Sequence, residues 1–141
     1  MESLGVIRKN SSSPWGFQEI CTPKPDGTYR SVSDLRPLNK KMFLYSYPLM
    51  TEADVFNQMG GSTLFTTLDL SKYFWSFKLT PRSQEICTIR GPTGVSYSYN
   101  CLPMGLKNSP AIAQAHIDRV LRQKYDGPGP MHGRVALGNF V

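Results

Sequence analysis

Cysteine, histidine and long apolar runs are all scarce in this chain of 141 residues. The three cysteines, Cys21, Cys87 and Cys101, form no CxxC pair, and only His116 and His132 are present to join them. The pattern favours buried reduced thiols over a zinc site or a disulfide framework. No apolar run approaches the roughly 20 residues of a membrane span, and the start, MESLGVIRKN, lacks the apolar core of a secretory signal. We therefore expect an intracellular protein with no membrane partner.

The composition fits one globular domain with a real core, since 40% of the residues are hydrophobic and 11% are aromatic. The net charge is +6, from 16 Lys and Arg against 10 Asp and Glu. A basic balance of this kind is compatible with a polyanionic partner such as nucleic acid. Because the basic residues are spread along the chain, the charge alone does not locate a binding surface.

Turn signals between strand-like segments predict two β-hairpins. FQEICTPK and TYRSVSDL flank PDG, so residues 17 to 35 should form a hairpin with Asp26-Gly27 at its tip. Residues 86 to 90 and 95 to 101 flank GPTG and predict the second hairpin. Residues 1 to 16 and the span RPLNKKMFLYSYPLM, residues 36 to 50, read as irregular chain or loop.

Two helices and one further strand complete the predicted order. Residues 49 to 59 predict a helix with Thr51 as N-cap, Asp54 three residues on, and Gly60-Gly61 as its end. STLFTTLDL, residues 62 to 70, is β-branched and aromatic and predicts a strand, with a helical turn after Asp69. A last helix starts at Asn108 or Ser109, with Pro110 in its first turn. The whole predicts an α+β fold.

Three short segments carry residues suited to phosphate or metal chemistry. Asp69 at a strand end is either an N-cap or a ligand for Mg²⁺, which binds through one or two carboxylates plus substrate phosphates. Lys24 and Arg30 flank the first turn and either grip a triphosphate or form ordinary edge-strand charge. LPMGLKNSP leads through Gly105 into a helix N-terminus, which is either an anion site or a plain turn.

Four segments, taken in order, resemble the reverse transcriptase domain of gypsy-type LTR retrotransposons and their retroviral relatives. They are LGVIRKNSSSPW, KPDGTYRSVSDLRPLN, YPLMTEADVFNQMGGSTLFTTLDL and LPMGLKNSPA. The second is similar to the family's fingers hairpin and D-x-R-x-L-N motif. The third is similar to the run into the first catalytic aspartate, and the fourth to the M-P-F-G-L-x-N-A-P-A block. Several motifs in order are far more specific than any one alone.

The resemblance implies an RNA-directed DNA polymerase that uses two Mg²⁺ ions, dNTPs and a template with its primer. Asp69 would be the catalytic metal ligand, helped by the Leu70 carbonyl. The implied dNTP-binding residues are Lys24, Arg30, Phe74 and Met104, and the implied template-binding residues are Asp34, Arg36, Asn39 and Pro110. Phe74 would exclude a ribose 2′-hydroxyl from the sugar site, although a core aromatic is the alternative role.

The resemblance also implies a domain plan, with fingers over about residues 1–45 and palm with some fingers over about 46–125. Residues 126–141 would lead toward the family's Y-x-D-D strand, which the sequence does not contain. Thumb, connection and ribonuclease H regions of the parent polyprotein are likewise not in this sequence. The family acts in the cytoplasm and delivers DNA to the nucleus, so we expect the cytoplasm first and the nucleus second.

Departures from the family pattern argue against polymerase activity of these 141 residues. Tyr73 fills a position that the family keeps small, and a phenol there could block the dNTP. Asp69 without companion carboxylates would hold Mg²⁺ weakly. Two alternatives to an inactive polymerase fragment stay open, namely a non-catalytic nucleic-acid-binding module and a fragment that docks onto other proteins.

Overall fold

The structure is a computed structural model that describes residues 1–49, 51–61, 63–65, 67 and 69–125. The described residues contain five strands: β1 (Ile7–Lys9), β2 (Phe17–Pro23), β3 (Tyr29–Ser33), β4 (Thr88–Arg90) and β5 (Ser96–Tyr99). Four α-helices accompany them: α1 (Arg36–Lys41), α2 (Glu52–Met59), α3 (Pro81–Ile86) and α4 (Ser109–Tyr125). Single 3₁₀ turns occupy Glu2–Leu4 and Tyr73–Ser76.

The strands form one mixed sheet in the order β1-β5-β4-β2-β3. Three pairings are antiparallel, whereas β2 and β4 pair in parallel at Phe17 with Ile89 and at Gln18 with Arg90. The two predicted hairpins are both confirmed, since β2 pairs β3 and β4 pairs β5. The predicted tip is confirmed as well, because Gly27 has a φ of 77° and the Asp26 carboxylate accepts from the Thr28 backbone and hydroxyl.

The hydrophobic core lies on this sheet and on α1. Its buried members are Val6, Ile7, Leu35, Leu38, Cys87, Ile89, Tyr99, Leu102 and Leu106. Ile89 in the central strand β4 is 0% exposed, and Leu35 immediately before α1 is 1% exposed. Both hairpins and α1 are therefore fixed to one another by burial of apolar side chains rather than by hydrogen bonds alone.

The chain divides into two compact units. Unit 1 combines residues 1–43 with residues 72–109 and contains the whole sheet. Unit 2 combines residues 44–71 with the chain from Pro110 onward. Within unit 2, the Asp118 carboxylate accepts from the Tyr47 hydroxyl at 2.7 Å and from the Gln114 amide at 3.0 Å. The boundary between fingers and palm expected near residue 45 stays a prediction.

The helix predicted from Thr51 is confirmed in detail. The Thr51 hydroxyl accepts from the Asp54 backbone N–H, and the Asp54 carboxylate accepts from the Thr51 N–H, so that a full capping box begins α2. Gly60 forms the C-cap. The last helix is also confirmed, with α4 beginning at Ser109.

Three local predictions were wrong. Arg36–Lys41, predicted as loop, is the helix α1, because Pro37 suits a first turn and Leu38 is buried beside Leu35. Within residues 1 to 16, predicted as irregular, Ile7–Lys9 pairs with β5. The described residues of the predicted strand 62–70 form no strand, since no described neighbour pairs with their backbone. A helical turn does follow Asp69, at Tyr73–Ser76.

Within the described residues, none of the helices combines the length and the apolar character that a membrane crossing requires.

Candidate nucleic-acid and nucleotide site

The β2–β3 hairpin carries Lys24 and Arg30 on one face. Arg30 lies opposite Thr22 in the ladder, and the Lys24 N–H donates to the Thr28 carbonyl at 2.7 Å. Because side chains alternate along a strand and cross-strand partners share a face, Lys24 and Arg30 are diagonal neighbours. Both are exposed, as are all residues from Ile20 to Val32. The hairpin thus presents two cations from its end with no competing carboxylate at either ladder position.

Asp34 and Arg36 form a fork between β3 and the start of α1. The Arg36 Nε and Nη2 groups each donate to a different Asp34 oxygen at 2.8 Å. This bidentate pair is charge-assisted, and it lowers the pKa of the Asp34 carboxyl to about 2. The Arg36 side chain remains 82% exposed, whereas that of Asp34 is 21% exposed. Arg36 therefore keeps three of its five N–H donors for a ligand while its orientation is set by Asp34.

The segment from Pro103 to Ser109 is a loop that side chains hold at several points. Leu102 and Leu106 are buried, and the Ser109 hydroxyl donates to the Pro103 carbonyl at 2.9 Å. Gly105 has a φ of 91°, a conformation that glycine adopts without strain. Met104, the implied pocket residue, is 48% exposed on this loop. Pro110 lies half-buried in the first turn of α4.

Asn39 on α1 uses both ends of its side-chain amide on the same loop. Its Nδ2 donates to the Gly105 carbonyl at 2.7 Å, and its Oδ1 accepts from the Lys107 backbone N–H at 2.9 Å. Sequence reasoning selected Asn39 as a template contact and missed this internal role. The signal for this role is the helix α1, which the sequence pattern of residues 36 to 41 does not predict.

Phe74 stands in the 3₁₀ turn Tyr73–Ser76 and packs half-buried against the core of unit 1. Its neighbour Tyr73 turns its ring edge-on toward Phe77, with centroids 5.1 Å apart, and burial raises the pKa of its phenol. Lys72 enters the turn at a φ of 55° and places its ammonium over the Trp75 ring at 5.5 Å. Contact with the core suits the structural role of Phe74, and its gate role stays a prediction.

Asp69 is exposed in unit 2, and Leu70 beside it is half-buried. Among the residues that the structure describes, no group of three or more His, Cys, Asp and Glu side chains is placed to hold a metal ion. Mg²⁺ requires near-octahedral coordination by oxygen, and one carboxylate with one carbonyl supplies little of it. The described residues therefore do not fit a complete two-ion magnesium centre.

Comparison with known proteins identifies the family. Residues 22–129 match the family described as reverse transcriptase (RNA-dependent DNA polymerase). The chain belongs to the reverse transcriptase family. It is 35% identical over 101 residues to the Pro-Pol polyprotein of simian foamy virus type 3 (strain LK3), covering 72% of this chain and 9% of that one. It is 34% identical over 117 residues to the transposon Tf2-3 polyprotein of Schizosaccharomyces pombe, covering 83% and 9% respectively.

Solved reverse transcriptase structures show the same fold. The crystal structure of the prototype foamy virus protease-reverse transcriptase CSH mutant matches with a TM-score of 0.77 and 31% identity, over 86% of this chain and 16% of that one. The foamy viral protease-reverse transcriptase in complex with RNA/DNA hybrid matches with a TM-score of 0.69 and 28% identity, over 89% and 16%. The predicted α+β, right-hand polymerase fold is thereby confirmed for this member of the family. The chain spans about a tenth of the length of its polyprotein relatives.

Proposed function

We propose that this reverse transcriptase chain supplies the template-gripping and dNTP-gripping part of an RNA-directed DNA polymerase, and that it binds an RNA/DNA hybrid without polymerising. The observation that carries the proposal is the Asp34–Arg36 fork, which aims an exposed guanidinium outward from the sheet edge. A foamy viral relative of the same fold was solved with such a hybrid. We also propose an intracellular location, in the cytoplasm first and the nucleus second.

The distribution of charge supports this role for unit 1. Its residues carry twelve Lys and Arg against five Asp and Glu, a net charge of +7, whereas the rest of the chain carries four against five, a net charge of −1. Sequence-independent binding of nucleic acid comes mainly from cations that neutralise backbone phosphates. The positive net charge of this chain therefore belongs to the unit that contains the fork and the hairpin.

Individual roles follow from chemistry and placement. Lys24 and Arg30 receive the triphosphate of a dNTP at the end of the hairpin, since a guanidinium fork and an ammonium both suit phosphate oxygens. Arg36 contacts a template phosphate. Met104 lines the nucleotide pocket, Phe74 borders the sugar, and Pro110 supports the template side of the loop.

The metal role of this chain is partial. Divalent Mg²⁺ supplies charge neutralisation to the reacting phosphates in enzymes of this chemistry. Asp69 and the Leu70 carbonyl would offer two oxygens to such an ion, but the described residues do not complete its coordination. We therefore expect no template-directed incorporation of dNTPs by the 141-residue chain.

Salt-dependent binding to a fluorescent RNA/DNA hybrid tests the proposal. The logarithm of the binding constant should fall linearly with the logarithm of salt, and the slope should shrink by about 1 for each lost phosphate contact. We expect Arg36→Ala, which removes the proposed contact with a template phosphate, to reduce the slope, and Asp69→Ala to leave it unchanged. Arg119→Ala removes the same charge from unit 2 and serves as the matched control.

The outcomes separate the candidate functions. Binding without salt dependence, or no binding by the wild-type chain, would refute hybrid recognition and leave docking onto other proteins. Incorporation of dNTPs that Asp69→Ala abolishes would show an active polymerase and contradict the partial metal role.

A further inference from the structure

Asn39 forms two hydrogen bonds that a neighbouring strand would otherwise supply. One residue on a parallel strand bonds to the carbonyl of one residue and to the N–H of the residue two further along. The Asn39 side chain does the same with the Gly105 carbonyl, at 2.7 Å, and the Lys107 N–H, at 2.9 Å. A single amide thus stands in for a strand residue and satisfies two backbone groups of a loop.

Both partners of this amide bridge are fixed by burial. On one side, Leu35 and Leu38 hold α1 in the core. On the other side, Leu102 and Leu106 hold the loop in the same core. Between these anchors the loop exposes Met104, and after Gly105 it exposes Lys107. Asn39 therefore fixes the polar backbone of a stretch in which exposed side chains alternate with buried ones.

We propose that Asn39 is a positioning residue whose amide holds residues 105 to 107 so that Lys107 is presented to the bound nucleic acid and the neighbouring Met104 to the nucleotide pocket. The inference rests on the proposed function and assigns Asn39 a role other than direct contact with the template. Its two hydrogen bonds leave the amide only one N–H and one lone pair for any further partner.

The bridge requires an amide, because the Asn39 Nδ2 must donate a hydrogen bond and the Oδ1 must accept one. Asn39→Ala removes both bonds. Asn39→Asp keeps the acceptor for Lys107 but turns a carboxylate oxygen toward the Gly105 carbonyl. Two oxygens face each other there unless the carboxyl is protonated, so this contact favours the neutral acid and raises its pKa. The protonated form donates to the Gly105 carbonyl again.

The first experiment measures the bridge without any ligand. Amide hydrogen exchange of Lys107 in the full chain should accelerate about tenfold in Asn39→Ala, the size expected for one lost hydrogen bond, and should stay slow in Asn39→Asp. The Tyr99 amide, bonded to the Cys87 carbonyl at 3.1 Å in the core, reports that the sheet remains folded. Unchanged exchange of Lys107 in Asn39→Ala overturns the proposal.

The second experiment measures presentation to an RNA/DNA hybrid. The ratio of the Kd of Asn39→Asp to the Kd of the wild type should be about 10 at pH 8 and below about 3 at pH 5, because protonation restores the donor. Asn100→Asp is the matched control, since the Asn100 Nδ2 also donates to a glycine carbonyl, that of Gly5 at 2.9 Å. We expect its ratio to stay near 1 at both pH values.

The results distinguish the bridge from its rivals and from a failure of the proposed function. A ratio that does not change with pH overturns the positioning role. If the wild type binds no hybrid, the proposed function fails, and with it the presentation of Met104 and Lys107, while the Lys107 exchange rates still show whether the bridge exists. If Asn39→Ala does not fold, the pH dependence of Asn39→Asp decides.

Discussion

Replacing Asp34 by Asn tests whether that carboxylate orients Arg36 or merely repels phosphate. The Asp34 oxygens accept from two Arg36 nitrogens at 2.8 Å, and the change to Asn removes the charge and the second acceptor while keeping the shape. If Asp34 orients Arg36, Asp34→Asn should weaken binding to an RNA/DNA hybrid. If Asp34 acts only as a negative charge near the phosphates, the same change should tighten it. The sign of the effect therefore decides.

The loss of Arg36 orientation should change the affinity more than the loss of the negative charge of Asp34. An arginine side chain loses much rotamer freedom when it is held on a ligand, and a fork that fixes it beforehand is worth about a five- to tenfold gain in affinity. If the Asp34 carboxylate lay about 7 Å from a bound phosphate, its removal would increase affinity about threefold in water at low salt, and less at 0.15 M. We expect Asp34→Asn to bind about two- to threefold more weakly.

Fluorescence anisotropy with a labelled hybrid at 0.15 M salt and pH 7 measures this change. Since the pKa of Asp34 is lowered to about 2, the carboxylate stays ionised above about pH 4, and its pairing is lost only as the pH falls through 2. Asp26→Asn is the matched control, because Asp26 lies in the adjacent β2–β3 hairpin and bonds to Thr28 rather than to a cation. Arg36→Ala should abolish the sensitivity to Asp34→Asn. Tighter binding of Asp34→Asn, by the same factor as Asp26→Asn, would refute the orienting role.

Three further predictions concern stability and reactivity. Ile89→Ala should lower the free energy of unfolding by about 2–5 kcal/mol in urea, because the side chain is 0% exposed, and Ile89→Val by about 0.5–1.5 kcal/mol; equal losses would contradict the packing. Thr51→Ala should cost about 1 kcal/mol and reduce the helical circular dichroism signal by loss of the capping box, an effect that Thr51→Ser should spare. Burial raises the pKa of the Cys87 thiol to about 11. At pH 8 a thiol reagent should therefore label exposed Cys21 quickly and Cys87 only after unfolding. The contribution of the neutral Cys87 thiol to the free energy of unfolding should be full below about pH 9 and lost as the pH rises through 11.

Local chemistry explains which parts of the fold were predictable from sequence. The turn at Asp26-Gly27 and the capping box of Thr51 with Asp54 are stabilised by hydrogen bonds between residues two or three positions apart. The local sequence is therefore enough to predict both. The helix α1 is six residues long and has no side-chain N-cap, so its pattern is too short to stand out. Its stability comes from Leu35 and Leu38 in a core formed largely by distant residues.

In the candidate site, too, contacts between residues near in sequence were predictable, whereas contacts between distant residues were not. The resemblance selected Asp34 and Arg36, and the structure joins them in a fork because they are two residues apart. The bond between Asn39 and Gly105 spans 66 residues, and no pattern near Asn39 announces it. The strand predicted at 62–70 had suitable residues, but a strand also requires a partner, which the described residues do not provide.

The segments of the two units alternate along the sequence, so the order of translation determines which parts of the fold can form first. β1 cannot pair until β5 has been synthesised, and the residues of β5 follow those of β1 by about 90 positions. At a translation rate of about 5–20 residues per second, the delay is about 4–18 seconds. During that interval Val6, Ile7 and Leu35 have left the exit tunnel without the strands that bury them. The core residues of the nascent chain therefore remain exposed to solvent until β4 and β5 have been synthesised. Chaperones that recognise apolar segments can bind during that interval.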